Sequence, residues 1–294
     1  MKCSTNSRHN QEQWLGSASP AQVWIALSHP KPWGANALTS IAIGDQNRKH
    51  LTTIFSLFAD SRIQIITQNN SSEIVLFFAV AFEHDQRLYR IPLANYDDIR
   101  DLNWQDIIDN KSPYQKYLSP NPIYLICTND QHDPCCGKWG QALFDQSQST
   151  ENLWQCSHLG GDRFAANVVS LPAGNYYRQV DTEALKSITA AEKQNTIYVD
   201  RFAGRSCYDR ITQVAFHHLL RAYPQTGIND WSLVAKEEKV PLLFSICFLG
   251  KNDDKVIIDI EQINTGMSDF FNCHATTKTE IVYFQLHTLK VVNN

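Results

Sequence analysis

The chain has no excess of positive charge: 26 Lys and Arg face 30 Asp and Glu, for a net charge of −4 and a pI near 6.2. Without a basic field to neutralise phosphates, neither nucleic-acid binding nor attachment to an acidic membrane surface is expected. Long apolar runs are also missing. The longest, Ile74 to Phe82, is about half of what a membrane-spanning helix needs, and reads as a buried strand. Met1 to Gln13 is polar and lacks the apolar stretch of a secretory leader. No G-x-G-x-x-G fingerprint for a flavin or nicotinamide occurs, so electrons, if the protein carries them, have to come from a partner protein. No C-x-x-C spacing supports a thioredoxin-type dithiol, and no carboxylate pair stands in a setting that suggests glycoside hydrolysis.

What is present describes a folded protein with a real core: 294 residues, 43% hydrophobic and 19% charged, enough for two compact domains. Eight cysteines, scattered from Cys3 to Cys273 without a regular framework, read as thiols of a reducing compartment, with the cytoplasm as the expected location.

Along the chain, Val23 to Leu27 reads as a strand stopped by Ser28-His29-Pro30-Lys31-Pro32. Leu51, Ile54, Phe55 and Phe58 recur at helical spacing, and Arg62 to Ile66 returns to a strand pattern. Ile74 to Phe82 and Arg87 to Ile91 add strands, and Tyr96 to Ile108 a helix. Pro113, Pro120 and Pro122 then interrupt any periodicity between Asn110 and Asn121, and a domain boundary is placed there, dividing the chain into 1–112 and 113–294.

The pattern restarts with a strand at Ile123 to Ile126, a cysteine-rich loop and a helix through Trp139, Ala142, Leu143 and Phe144. Leu153 to His158 and Tyr176 to Val180 read as strands. Arg163 to Val169, Ala184 to Lys193 and Ile211 to Leu220 read as helices. Leu242 to Leu249, Lys255 to Ile260 and Glu280 to Val292 form strand-like runs, with a hairpin turn at Asn252-Asp253-Asp254. The alternation implies an α/β fold. Trp33-Gly34 with Ala37-Leu38 after the first strand echoes Trp139-Gly140 with Ala142-Leu143 after the later one, although the first copy has no cysteines in its loop.

Chemistry concentrates in Cys127-Thr128-Asn129-Asp130-Gln131-His132-Asp133-Pro134-Cys135-Cys136-Gly137, between a strand and a helix. A helix N-terminus favours thiolate, the form that binds metal. Single cysteines often serve as small buried hydrophobes, but three in ten residues of a polar loop point to function. Trp154-Gln155-Cys156-Ser157-His158-Leu159-Gly160-Gly161-Asp162-Arg163-Phe164 again runs from strand toward helix. Its paired glycines permit positive φ and close approach to a bulky group. Alone, His158 reads as a structural histidine and Asp162 as a helix N-cap.

Cys127, the Cys135-Cys136 pair, Ser157-His158-Leu159-Gly160-Gly161, Arg163-Phe164-Ala165-Ala166-Asn167 and Leu171-Pro172-Ala173-Gly174 together resemble the signature of the sucrase/ferredoxin-like family. Gln13 to Gly16, Ala26-Leu27-Ser28-His29-Pro30, Pro32-Trp33-Gly34 and Gly204-Arg205-Ser206 extend the resemblance from about Gln13 to about Tyr223. The pattern gives an N-terminal α/β domain over 1–112 and, at the end of 113–294, extra C-terminal strands. For that second domain the resemblance implies a thioredoxin-like ferredoxin fold holding a [2Fe-2S] cluster on two cysteines and the two histidines of a His-x-Gly-Gly-His motif. Carried over, the ligands are Cys127, Cys136 and His158; Asp162 stands where the second histidine belongs. Asp162 ranks first as fourth ligand and Cys156 second. An absent fourth protein ligand is close behind, and Cys135 is a further candidate.

The expected function is one-electron transfer to or from a protein partner. Histidine ligation of the outer iron places such centres at roughly −150 to +300 mV. Three other readings remain open: a thiol redox enzyme using Cys127, Cys135 or Cys136; a zinc site on Cys127, Cys136, His158 and Asp162; and a metal-free binding module.

Overall fold

The computed structural model describes residues 3–69 and 72–292; Met1 and Lys2 of the polar start lie outside them. Among the described residues, thirteen strands form two sheets. They are β1 (Val23–Ser28), β2 (Ser61–Thr67), β3 (Ile74–Ala81), β4 (Gln86–Leu93), β5 (Ile123–Cys127), β6 (Leu153–Cys156), β7 (Val168–Leu171), β8 (Asn175–Tyr177), β9 (Phe202–Arg205), β10 (Trp231–Val240), β11 (Leu243–Gly250), β12 (Lys255–Asp269) and β13 (Thr279–Val292). Every residue of β1, β5, β6 and β7 is buried, as befits strands covered on both faces, which explains why their sequences run apolar instead of alternating.

The larger sheet has nine strands in the order β4-β3-β1-β2-β6-β5-β7-β8-β9. Each half repeats one plan. β1 runs parallel to β2 and antiparallel to β3, which pairs antiparallel with β4. Likewise β5 runs parallel to β6 and antiparallel to β7, which pairs antiparallel with β8. The Trp-Gly and Ala-Leu echo follows the first strand of each half. The halves join where β2 meets β6 antiparallel, through Ile66 with Cys156 and Thr67 with Gln155, and residues 110–121 lie between them in the chain.

The second sheet, β10-β11-β12-β13, packs on the helix Arg210–Ala222, which Asp209 caps by accepting from the N–H groups of Ile211 and Thr212. This helix is buried on nearly all sides because it lies between the sheets. Phe216 sits 6.3 Å from Phe202 of β9 and 5.8 Å from Phe248 of β11. The architecture is mixed α/β, with a large curled sheet and a separate four-stranded one.

Several elements differ from their sequence patterns for identifiable reasons. Arg163 to Val169 is not a helix: a single turn at Asp162–Phe164 ends when Phe164 and Ala166 accept from the N–H groups of Gln179 and Val180, and Val168 enters β7. Tyr96 to Ile108 breaks into a turn at Tyr96–Asp101 and a helix at Trp104–Ile108, each started by an asparagine cap, Asn95 and Asn103. Strand β10 has no sequence counterpart because Lys236 to Lys239 is solvent-facing and charged, leaving no apolar pattern to read. Within the polar start, Cys3–His9 is a helix. The Asn252 to Asp254 hairpin turn is as expected, closed by Gly250 N–H donating to the Asp254 carbonyl.

Candidate metal centre

Two loops at the ends of β5 and β6 build the site, and the first half of the chain holds both. From Cys127 the first loop crosses toward β1: Asn129 donates to the Gly34 carbonyl at 3.1 Å, and the Nδ1 of His132 meets the Ala35 carbonyl at 3.2 Å. The chain then enters a wide helical turn, Cys136–Gly140, continued by the helix Gln141–Gln146. Gly140 is required here, because a Cβ at that position would stand inside the Cys127 carbonyl group.

The second loop leaves β6 at Cys156, earlier than the Leu153 to His158 pattern suggests, because Ser157 turns to bond with β2. Its hydroxyl accepts from Ile65 N–H at 3.0 Å and donates to Gln64 at 2.7 Å. Arg62 and Gln64 donate to the His158 carbonyl, at 3.2 and 3.3 Å. Gly161, at φ +77°, lies so close to the buried Arg178 guanidinium that any Cβ would reach within 2.7 Å of it. Arg178 in turn donates to the carbonyls of Gly160 and Ser17. This clamp fixes the backbone that presents Asp162.

The loops bring together all four predicted site residues and one more. The ligand atoms of Cys127, Cys136 and His158 lie within 4.8 Å of one another, as do those of His132, His158 and Asp162. The Cys136 thiol donates to Asp162 Oδ1 at 3.1 Å. His158 Nδ1 is also 3.1 Å from that oxygen, though not aligned for a hydrogen bond, so this buried nitrogen has no hydrogen-bond partner. The His132 ring stacks on that of His158, with its Nε2 3.9 Å from Asp162 Oδ2. Burial grades across the group. Cys127 and Cys136 are at most 1% exposed, whereas the side chains of His158 and His132 are 25% and 34% exposed.

The protonation pattern follows from these contacts. Contact with Cys136 holds the Cys127 thiol well below the ordinary range, against the effect of burial, while the same contact and burial push Cys136 well above it. Burial disfavours a charged His158, but the Asp162 carboxylate and Cys127 outweigh it and raise the imidazole to about 9. Asp162 is also buried, yet His158 keeps its pKa below the usual value. Without metal, the site is therefore a buried thiolate and carboxylate around a protonated imidazole. A metal ion would take the place of the His158 and Cys136 protons.

The sucrase/ferredoxin-like family model matches residues 14–204, more than half of the chain and both loops of the site. The chain belongs to the sucrase/ferredoxin-like family. No curated protein and no solved structure matches it.

In this sucrase/ferredoxin-like chain neither Cys156 nor Cys135 belongs to the two groups of converging ligand atoms at the centre. Cys156 ends β6, so strand alternation does not carry on to His158. It is fully buried as the register partner of Cys127, and burial raises its thiol well above the ordinary range. Cys135 turns away from Cys136 toward Cys3 and Cys273. Sequence reasoning missed His132. The available signal was a histidine five residues after Cys127 and four before Cys136 in the same loop, a spacing that leaves it free to fold back over the ends of both strands.

Proposed function

We propose that this protein is a one-electron carrier with a [2Fe-2S] cluster on Cys127, Cys136, His158 and His132, serving a redox partner protein. One observation carries the reading: two buried sulfurs and two stacked, partly exposed imidazoles converge at the mouth of two clamped loops. The donor set fits the cluster, since thiolate and imidazole both suit iron, and the buried Nδ1 of His158 makes no aligned hydrogen bond within the protein. The repeated strand plan supports a thioredoxin-like reading of the second half. When bound, such a cluster supplies reversible one-electron transfer. The chain's own residues bury the sulfur side and leave the imidazole side toward solvent, where a partner can approach.

Asp162 is the ligand suggested by position in the family motif, and it remains within reach of iron. His132 is the better fourth ligand on two grounds. Imidazole is the softer donor, and a ligating histidine commonly hydrogen-bonds a carbonyl through its other nitrogen, as His132 does with Ala35. Asp162 then serves as the carboxylate lying between the two imidazoles.

Iron and acid-labile sulfide analysis of anaerobically purified protein, read with its visible spectrum, tests the proposal. Two irons and two sulfides per chain with visible absorption are expected. A colourless, iron-free protein from an iron-replete host would remove the cluster in favour of the zinc or metal-free readings.

No helix among the described residues is long and apolar enough to cross a membrane. Residence in the cytoplasm is proposed on the free thiols of the described cysteines.

A further inference from the structure

Beside the centre, and sharing no ligand with it, three thiols from distant parts of the chain meet. Cys3 lies in the helix Cys3–His9, Cys135 in the cysteine loop, and Cys273 in the connection between β12 and β13. Their sulfurs form a nearly equilateral triangle: 3.6 Å from Cys3 to Cys135, 3.4 Å from Cys135 to Cys273, and 3.5 Å from Cys273 to Cys3. The fully buried Asp133 carboxylate stands over the triangle. Its Oδ1 accepts from Cys135 N–H and its Oδ2 from Cys273 N–H, both at 2.7 Å, and Oδ2 lies 4.0 Å from the Cys3 sulfur.

We propose that Cys3, Cys135, Cys273 and Asp133 form a second metal site, structural in role, that takes one zinc ion. A tetrahedral ion with metal–sulfur bonds of about 2.3 Å holds its sulfurs about 3.8 Å apart, so the triangle needs to open by only a few tenths of an ångström. Three mutually equidistant thiols suit one ion better than a disulfide, which would pair two and strand the third. Zinc accepts sulfur and oxygen donors together, and Asp133 offers the oxygen already fixed by two backbone donors. Binding releases the protons of the three thiols and changes no oxidation state. The four ligands occupy the four positions of a closed, structural site.

The site would tie two segments, distant in sequence, to the cysteine loop. A seven-residue polar helix is not stable alone, and Cys3–His9 is held chiefly by Trp139 donating to Ser4 and Arg8 donating to the Ala165 carbonyl. The tip of the β12–β13 hairpin reaches back from the second sheet to lay Phe271 over Arg163, 3.6 Å from the guanidinium carbon to the ring centre. Zinc would bind both segments to the loop that carries Cys136, and would occupy Cys135 so that its neighbour alone serves the first centre.

The test is metal analysis of the full-length protein purified anaerobically with reductant, followed by single substitutions. One zinc per chain is expected. Cys273→Ser, on a partly exposed connection, should lose that zinc while keeping its iron, its visible spectrum and its far-ultraviolet dichroism; Cys136→Ser should lose iron and keep zinc. Cobalt added to zinc-depleted native protein should give a thiolate-to-cobalt charge-transfer band that Cys3→Ser and Cys273→Ser both abolish. Absence of stoichiometric zinc and of the cobalt band, loss of zinc on Cys127→Ser instead of Cys273→Ser, or a disulfide between two of the three thiols in the reduced preparation would each overturn the proposal. Because the zinc readout does not depend on iron, its failure is separate from any failure of the cluster reading.

Discussion

The imidazole of His132 lies flat on that of His158, ring centres 3.6 Å apart and planes 21° from parallel. Two stacked imidazoles repel if both carry charge, and here the Asp162 carboxylate lies beside each, 3.1 Å from His158 Nδ1 and 3.9 Å from His132 Nε2. The pair is 26 residues apart in sequence and comes from two different loops, so the contact depends on both loops being held against the first half of the chain.

The first prediction separates His132 from Asp162 as fourth ligand. His132→Ala should remove one of two coordinated nitrogens from the pulsed electron paramagnetic resonance spectrum of the reduced protein and shorten cluster lifetime in air. Asp162→Ala should keep both nitrogens. The opposite result, with His132→Ala silent and Asp162→Ala changing the g-values, restores the carboxylate to the ligand set.

Cys135 and Cys136 are adjacent but face different partners, and substitution should separate them. Cys136→Ser is expected to prevent normal cluster assembly, and Cys135→Ser to leave iron and sulfide content unchanged. Bleaching by Cys135→Ser alone would mean that the ligand assignment is displaced by one position.

Gly140→Ala probes the contact between the helical turn and the end of β5. The added methyl collides with the Cys127 carbonyl, a backbone group that cannot rotate away. A loss of about 1–3 kcal/mol is expected from denaturant unfolding, with lower iron content because Cys127 moves. Unchanged stability and full iron content would show that the turn tolerates displacement.

His217 should set part of the acid sensitivity of the fold. Burial, aided by His218 and Arg221, holds its imidazole down to about 4 from an ordinary 6.5. Between those values the unfolded chain binds the proton and the folded chain does not. Stability from this group is therefore full above pH 6.5 and is lost as pH falls toward 4, on the order of 2–3 kcal/mol in all. His217→Gln should flatten the stability curve over that window, as followed by denaturant midpoints at each pH; equal slopes for the two proteins would exclude His217 as the cause.

Much of the framework was legible locally. β1, β3 and β5 are continuous apolar runs, and a strand buried on both faces leaves that mark in any sequence. The Cys127 to Gly137 loop and the Ser157 to Gly161 segment could be singled out because their residue types have few structural uses in such density, and their order carried the family resemblance. Asp162 could be placed near them by its distance in the chain. β10 could not be read, since its residues face solvent and need no apolar alternation.

Contacts between residues far apart in sequence were decided elsewhere. His132 became a candidate ligand because the first loop bonds to Gly34 and Ala35, nearly 100 positions earlier. Ser157 pairs with β2, so β6 ends at Cys156 and strand alternation no longer relates Cys156 to His158. The chain order of Cys3, Cys135 and Cys273 contains no sign of their meeting, which requires the second sheet to fold its longest hairpin back across the first. Local patterns report what each segment buries, whereas which buried or half-buried groups end up 3 to 4 Å apart depends on how the sheets join and where the loops are pinned.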